Sequence, residues 1–153
     1  MNTSQKETLL LVDDEEINRA ILANIFSPEY AILEAEDGQA GLELILDPAS
    51  NLSAILLDVI MPRLNGLEVL RQMHQRGLTE QIPVFLITAD EGSDTIREAY
   101  ALGVMDVIFK PAVPYVIRRR VNSVVELFRA RRRLSAEVER LRGQLLLQTQ
   151  RLA

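Results

Sequence analysis

The chain of 153 residues has no cysteine, so neither disulfides nor a thiolate metal site can hold it together. No apolar run approaches the ~18 to 20 residues of a membrane span, and Met1 to Thr8 is polar, unlike a secretory signal. These absences lead to the expectation of a soluble cytoplasmic protein with no membrane partner. Histidine occurs once, as His74, beside the polar Gln75 and Arg76 and without a second ligand candidate nearby, so it reads as a surface residue. Proline is missing from Tyr115 to Ala153, where Gly143 is the only glycine, and nothing there interrupts a helix. Positive charge is scarce in most of the chain. Up to Ile117 there are 7 Lys and Arg against 19 Asp and Glu (net −12), whereas from Arg118 onward there are 10 Arg against 3 Glu (net +7). These are two physically different parts, and the length suits one domain with a real core plus a short appendage.

What the chain does have is a series of short apolar runs that end abruptly in polar residues. Thr8 to Val12 stops at Asp13 and Asp14, and Ala54 to Leu57 stops at Asp58. Pro83 to Ile87 runs into Thr88, and Asp106 to Phe109 stops at Lys110-Pro111. With Tyr30 to Ala35 these make five strands, too short for helices and too apolar for surface loops. Between them lie helical patterns. Ile17, Ala20, Ile21, Asn24 and Ile25 recur at helical spacing until Ser27-Pro28; Asp37-Gly38 opens a second helix that Asp47-Pro48 breaks. Asn65 with Glu68 forms a capping box for a third helix that Gly77 closes, and Thr95 with Glu98 offers another for a fourth helix ending near Leu102-Gly103. Strands alternating with helices predict an α/β fold, a doubly wound five-stranded parallel sheet.

Ligands of such sheets bind outside the carboxyl ends of the strands, where Asp13, Asp14, Asp58, Thr88 and Lys110 must converge. Three carboxylates in one crevice repel one another unless a divalent cation sits among them, and an all-oxygen donor set suits Mg²⁺. A carboxylate can itself be the nucleophile in phosphoryl transfer, with the metal, Lys110 and the Thr88 hydroxyl each taking one oxygen of the transferring group. Asp58, ending the middle strand, is the best-placed nucleophile.

In Asp13-Asp14, the run Asp58-Val-Ile-Met-Pro-Arg-Leu-Asn-Gly66, Thr88-Ala89 and Lys110-Pro111, in this order and at these spacings, the chain resembles the receiver domain of bacterial two-component response regulators. The likeness covers roughly Glu7 to Phe128. It implies a flavodoxin-like strand order 2-1-3-4-5 and a phosphoryl group accepted on Asp58 from a histidine kinase or a histidine phosphotransfer protein. It also implies Mg²⁺ held by Asp14 and Asp58, with Asp13 acting mainly through water and the backbone carbonyl of Ile60 completing the protein ligands. Thr88 and Lys110 are implied to contact the phosphoryl oxygens, and the Lys110-Pro111 bond to be cis. One position departs from the pattern: three residues before the lysine, where many receivers carry an aromatic that changes rotamer with the threonine, stands Val107, and Phe109 lies two residues further along the same strand face. Ile60, two residues after Asp58, is apolar and branched and is expected to hinder the water that hydrolyses the acyl phosphate. Asp90, two residues after Thr88, borders the same position.

Pro114 suits the first turn of a final helix. Up to Phe128 its residues Val116, Ile117, Val121, Val124, Val125 and Leu127 suit packing against the sheet. Beyond, Leu127, Arg131, Leu134, Val138, Leu141, Leu145, Gln148 and Leu152 follow alternating steps of four and three, the seam of a two-stranded coiled coil. Residues 1–128 are thus expected to form the receiver and 129–153 a helical extension that makes a parallel homodimer or leads to a further output domain. The alternative is an isolated, frayed helix. Two other function classes fare worse. A phosphatase of the haloacid dehalogenase type needs a second aspartate two residues after the nucleophile, and Ile60 stands there. A nucleic-acid binder could use Arg118 to Arg120 and Arg131 to Arg133 on phosphates, but no helix-turn-helix or winged helix follows and the arginines flank a seam. The expectation is therefore a phosphoacceptor regulatory module in a larger signalling protein, not an enzyme in its own right.

Overall fold

The computed structural model describes residues 6–61, 63–89 and 92–152; Asp90, named above as a neighbour of the phosphoryl position, lies outside them. Five strands form one parallel sheet: β1 (Glu7–Val12), β2 (Tyr30–Ala35), β3 (Leu52–Asp58), β4 (Val84–Thr88) and β5 (Asp106–Phe109). Their order is β2-β1-β3-β4-β5. The helices that connect and follow them are α1 (Glu16–Phe26), α2 (Gly38–Leu46), α3 (Gly66–Gln75), α4 (Ser93–Ala101) and α5 (Pro114–Leu152). No helix among the described residues is long and apolar enough to cross a membrane.

β3 is buried along its whole length, as a central strand covered by helices on both faces must be. Alternate residues of the sheet feed two cores. Leu10, Val12, Ile55, Leu57 and Leu86 pack with Val69, Leu70 and Met73 of α3. On the other face Leu9, Leu11, Leu56, Phe85 and Ile108 pack with Leu22, Ile25 and Phe26 of α1 and with Ile117, Val121 and Val125 of α5.

Local chemistry sets most boundaries. The Asn65 side chain accepts the Glu68 amide at 2.9 Å to start α3, and Gly77 at φ 70° follows its end. Asp37 caps α2 by accepting the Ala40 amide at 2.8 Å. Pro83, which lacks a donor, stands just outside β4, where its carbonyl accepts the Ile55 amide at 3.0 Å.

Two expectations need correction. α4 begins at Ser93 with Gly92 at the N-cap, so Thr95 lies inside the helix and the Thr95/Glu98 box does not open it. In α5 the sheet-facing stripe is Ile117, Val121, Val125 and Phe128, while Val116 and Leu127 are 44% and 53% exposed. The buried stripe steps by four, four and three, the spacing of one helix face; Val116 and Leu127 fall on a different one. His74 is exposed, as expected.

Candidate functional site

The strand register builds the crevice. Val12 pairs with Leu57, Asp58 with Ile87, and Thr88 with Phe109, so the residues that follow these strands emerge side by side at one sheet edge. Asp13, Asp14 and Asp58 each place a carboxylate oxygen within 4.8 Å of the others. Asp13 and Asp58 are buried and Asp14 is exposed, so the group lies at the mouth of the crevice. Lys110 reaches in from the end of β5, its Nζ 3.4 Å from Asp13 Oδ2 and 3.3 Å from Asp58 Oδ2. Thr88 is buried at the end of β4, between the strands that carry Asp58 and Lys110. The Ile60 side chain is 69% exposed.

Several residues outside the motif hold this geometry. The Asp13 carboxylate accepts the Glu15 amide at 2.8 Å, and Arg19 Nη1 donates to the Asp13 carbonyl at 2.6 Å, fixing the turn from β1 into α1. Lys110 is anchored by its own amide, which donates to the Thr88 carbonyl at 2.9 Å, and the Lys110-Pro111 peptide is cis. At Gly66 the chain folds back under the nucleophile candidate: its amide donates to the Val59 carbonyl at 2.9 Å, and a Cβ there would lie 2.1 Å from the Asp58 carbonyl oxygen. Only glycine fits that approach. The sequence marks Asn65 as a helix cap, but gives no sign that Gly66 touches Asp58 or that Arg19 braces Asp13.

The electrostatics are unbalanced. Loss of water pushes the Asp58 carboxyl above the usual carboxylate range; Lys110 and the Ile60 amide oppose this while Asp13 adds repulsion, and the net direction is upward. Burial alone would pull the Lys110 ammonium down, but Asp58 and Asp13 outweigh it and its pKa rises. One ammonium shared between two carboxylates, with a third beside them, leaves the crevice short of positive charge. The donor set is oxygen throughout, and such a set fits a hard divalent cation such as Mg²⁺.

The departure at Val107 is visible in the packing. Val107 is 5% exposed within the core that includes Val104 and Ala99, whereas Phe109 is 40% exposed at the strand's end. Although both side chains lie on one strand face, Phe109 does not take the place of Val107.

Comparison with known proteins agrees with this geometry. The family profile described as the response regulator receiver domain matches residues 9–122. A probable cyclic di-GMP phosphodiesterase of Vibrio cholerae is 32% identical over 116 residues, 76% of this chain and 26% of that protein. The Regulator of RpoS of Escherichia coli K12 is 39% identical over 104 residues, 67% of this chain and 30% of that protein. The chain therefore spans about a quarter to a third of the length of these relatives. Among solved structures, a chain of the CheX-CheY-BeF3-Mg+2 complex of Borrelia burgdorferi superposes with a TM-score of 0.73 at 24% identity, covering 80% of this chain and 91% of that one, a likeness of fold.

Proposed function

The chain belongs to the response regulator receiver family, and from that membership we propose that it accepts a phosphoryl group on Asp58. The observation that carries the reading is the convergence of Asp13, Asp14 and Asp58 with Lys110 at the carboxyl ends of β1, β3 and β5. An Asp58 carboxylate oxygen attacks the phosphorus of a phosphohistidine, the phosphorus–nitrogen bond breaks, and an acyl phosphate forms on Asp58 while the imidazole leaves. Lys110, already within reach of Asp58, moves its ammonium onto a phosphoryl oxygen, and Thr88 offers its hydroxyl to another. Asp14 and Asp58, with the Ile60 carbonyl, would hold Mg²⁺, with Asp13 acting mainly through water; the ion would supply charge neutralisation between the carboxylates and the incoming phosphoryl group. The Borrelia CheX-CheY complex, solved with BeF3 and Mg, supports this assignment by likeness.

The phosphodonor is a histidine kinase or a histidine phosphotransfer protein. A groove of about 450 Å³ beside Lys110 and Pro111, lined by Ile21, Leu22 and Ile25 of α1, supports a protein partner at the crevice. Ile21 in its lining is 54% exposed, and Ile17, one turn earlier on α1, is 73% exposed. Residues 1–128 act as the receiver and 129–153 as the extension, through which a homodimer passes the signal on within a larger protein; the greater length of the relatives supports the last point.

Treatment with acetyl phosphate and Mg²⁺ is expected to add one labile phosphoryl mass to the wild type and none to Asp58→Asn. A mass shift that persists in Asp58→Asn overturns the assignment. Asp14→Ala is expected to abolish the reaction while keeping the circular dichroism of the fold. Ile60→Asn is expected to shorten the acyl phosphate lifetime, because an amide there can orient the attacking water that isoleucine excludes.

A further inference from the structure

Beyond Arg129, which bonds Glu7, every ion pair of α5 among the described residues lies within the helix itself. Leu134, Val138, Leu141, Leu145 and Leu152 are 66%, 45%, 50%, 64% and 89% exposed. Water disfavours an exposed aliphatic stripe of this kind, and such patches mark interaction surfaces. At about 100° per residue its direction lies about a third of a turn from the face that packs on the sheet. The contrast is sharp at one step, where Leu127 is 53% exposed and Phe128 only 4%. A second helix can therefore lie along the stripe without displacing the receiver body.

Resting on the reading that α5 pairs two copies, we infer that the pairing is parallel and in register, and that Glu137 and Arg142 select it. In the heptad frame Arg131, Val138, Leu145 and Leu152 are a positions and Leu127, Leu134, Leu141 and Gln148 are d positions. Glu137 is then a g position and Arg142 an e position. In a parallel pair each g residue faces the e residue five further along on the other chain, so Glu137 meets Arg142 of the second copy, twice by symmetry. The remaining g–e pairs, Ala130 with Ser135 and Gln144 with Thr149, carry no charge. Within one chain Glu137 already engages Arg140, with 2.5 Å between Oε1 and Nη2, and Arg142 lies 3.5 Å from Glu139; both groups sit on the helix surface, free to exchange partners.

The polar seam residues favour the same arrangement. Parallel pairing sets Gln148 against its own copy, where two amides can hydrogen-bond to each other. An antiparallel pairing that keeps the leucine layers sets Gln148 against Val138, with an amide facing an aliphatic side chain in two layers. Arg131 is the one seam charge, and its guanidinium is turned back over the Phe128 ring, 5.2 Å from the centroid. The seam proper thus begins at Leu134, where the helix has left the body.

The test is a charge swap in the full chain, read by sedimentation equilibrium. Glu137→Arg and Arg142→Glu are each expected to weaken the dimer about tenfold, because each puts two like-charge pairs at the interface. A one-to-one mixture of the two variants restores both attractive pairs and is expected to return to wild-type affinity, as is the double variant. Neither the Glu137–Arg140 nor the Glu139–Arg142 contact within a chain can be repaired by mixing, so recovery in the mixture reads the interchain pair alone. Because the chain has no cysteine of its own, Leu134→Cys and Gln148→Cys, each made separately, give a clean second readout. Both should cross-link to themselves, since the two sites lie roughly 21 Å apart along the helix and an antiparallel pair can bring only one of them together with its copy. A wild type that stays monomeric overturns the dimer reading and this inference with it. A dimer whose affinity ignores the swaps, or in which only one cysteine site cross-links, overturns the register and orientation alone.

Discussion

α5 is one uninterrupted helix of 39 residues, yet its two halves owe their structure to different causes. From Pro114 to Phe128 the helix is fixed by the body. Ile117, Val121, Val125 and Phe128 are buried, Arg120 grips Asp106 at 2.7 and 2.8 Å, and Asn122 contacts Tyr30 and Glu29. Arg129 closes this half with two hydrogen bonds to Glu7, at 3.2 and 2.7 Å. Past Arg129 every ion pair among the described residues is internal to the helix, and every described residue from Arg131 onward is exposed. Much the same residue types, Leu, Val and Arg with few helix breakers, serve both halves. The difference is what faces the apolar residues: the sheet in one half, open surface in the other. Helix propensity and i,i+3 pairs yield only tenths of a kcal/mol each, so the distal half lacks the tertiary burial that fixes the docked half.

The strongest test of this contrast is a pair of truncations in the two halves. Phe128→Ala removes a buried ring and is expected to lower the unfolding free energy by about 3 to 5 kcal/mol. Leu134→Ala, only six residues on, is expected to leave it within about 0.5 kcal/mol at concentrations where the chain is monomeric, the usual range for surface changes. Urea denaturation at micromolar and at high concentration separates the two, because Leu134→Ala should matter only when the dimer forms. A large loss in dilute Leu134→Ala would mean that the distal half packs on the body after all.

Magnesium offers a second division, between the crevice and the helix. At 100 times the dissociation constant a cation bound to the folded state alone adds about 2.7 kcal/mol. That gain is expected in the wild type, is lost in Asp14→Ala, and is unchanged in Leu134→Ala. Thermal melts with Mg²⁺ or with a chelator measure it. Equal gains in wild type and Asp14→Ala would place the ion elsewhere.

How far these two regions could be read in advance differs for a physical reason. The crevice was legible because each strand is a short apolar run that ends abruptly, and the residues that end them, Asp13, Asp58, Thr88 and Lys110, are chemically conspicuous. Parallel topology then forces them to one edge. The supports were not legible: Gly66 matters through a backbone approach to the Asp58 carbonyl, and Arg19 through a bond to the Asp13 carbonyl, neither of which leaves a local pattern. The start of α4 was misplaced because Gly92 carries no side chain to announce a cap. In α5 apolar residues occur on two faces between Val116 and Phe128, and periodicity alone does not say which face the sheet takes.

The smallest effect tests the docked half at its contact with the edge strand β2. The Tyr30 hydroxyl lies 2.5 Å from Asn122 Oδ1, to which it donates, and Asn122 Nδ2 donates to Glu29 at 3.1 Å, so β2 and α5 are joined through one phenol. Tyr30→Phe is expected to cost about 1 kcal/mol near neutral pH, the ordinary net value of one such bond. The pH dependence makes the test specific. Burial first, then the charges of Glu29 and Glu7, push the Tyr30 hydroxyl up to about 12. The folded state therefore favours the neutral phenol: its stabilisation is complete below the unfolded value of about 10 and is lost as pH rises through 12. Phenylalanine cannot titrate, so the stability difference between wild type and Tyr30→Phe should shrink between pH 10 and 12. Every other group is common to both proteins and cancels in the difference. Leu134→Ala, measured in the same way, should show no such convergence. A Tyr30→Phe difference that stays constant across this range would mean that the phenol is not what joins β2 to α5.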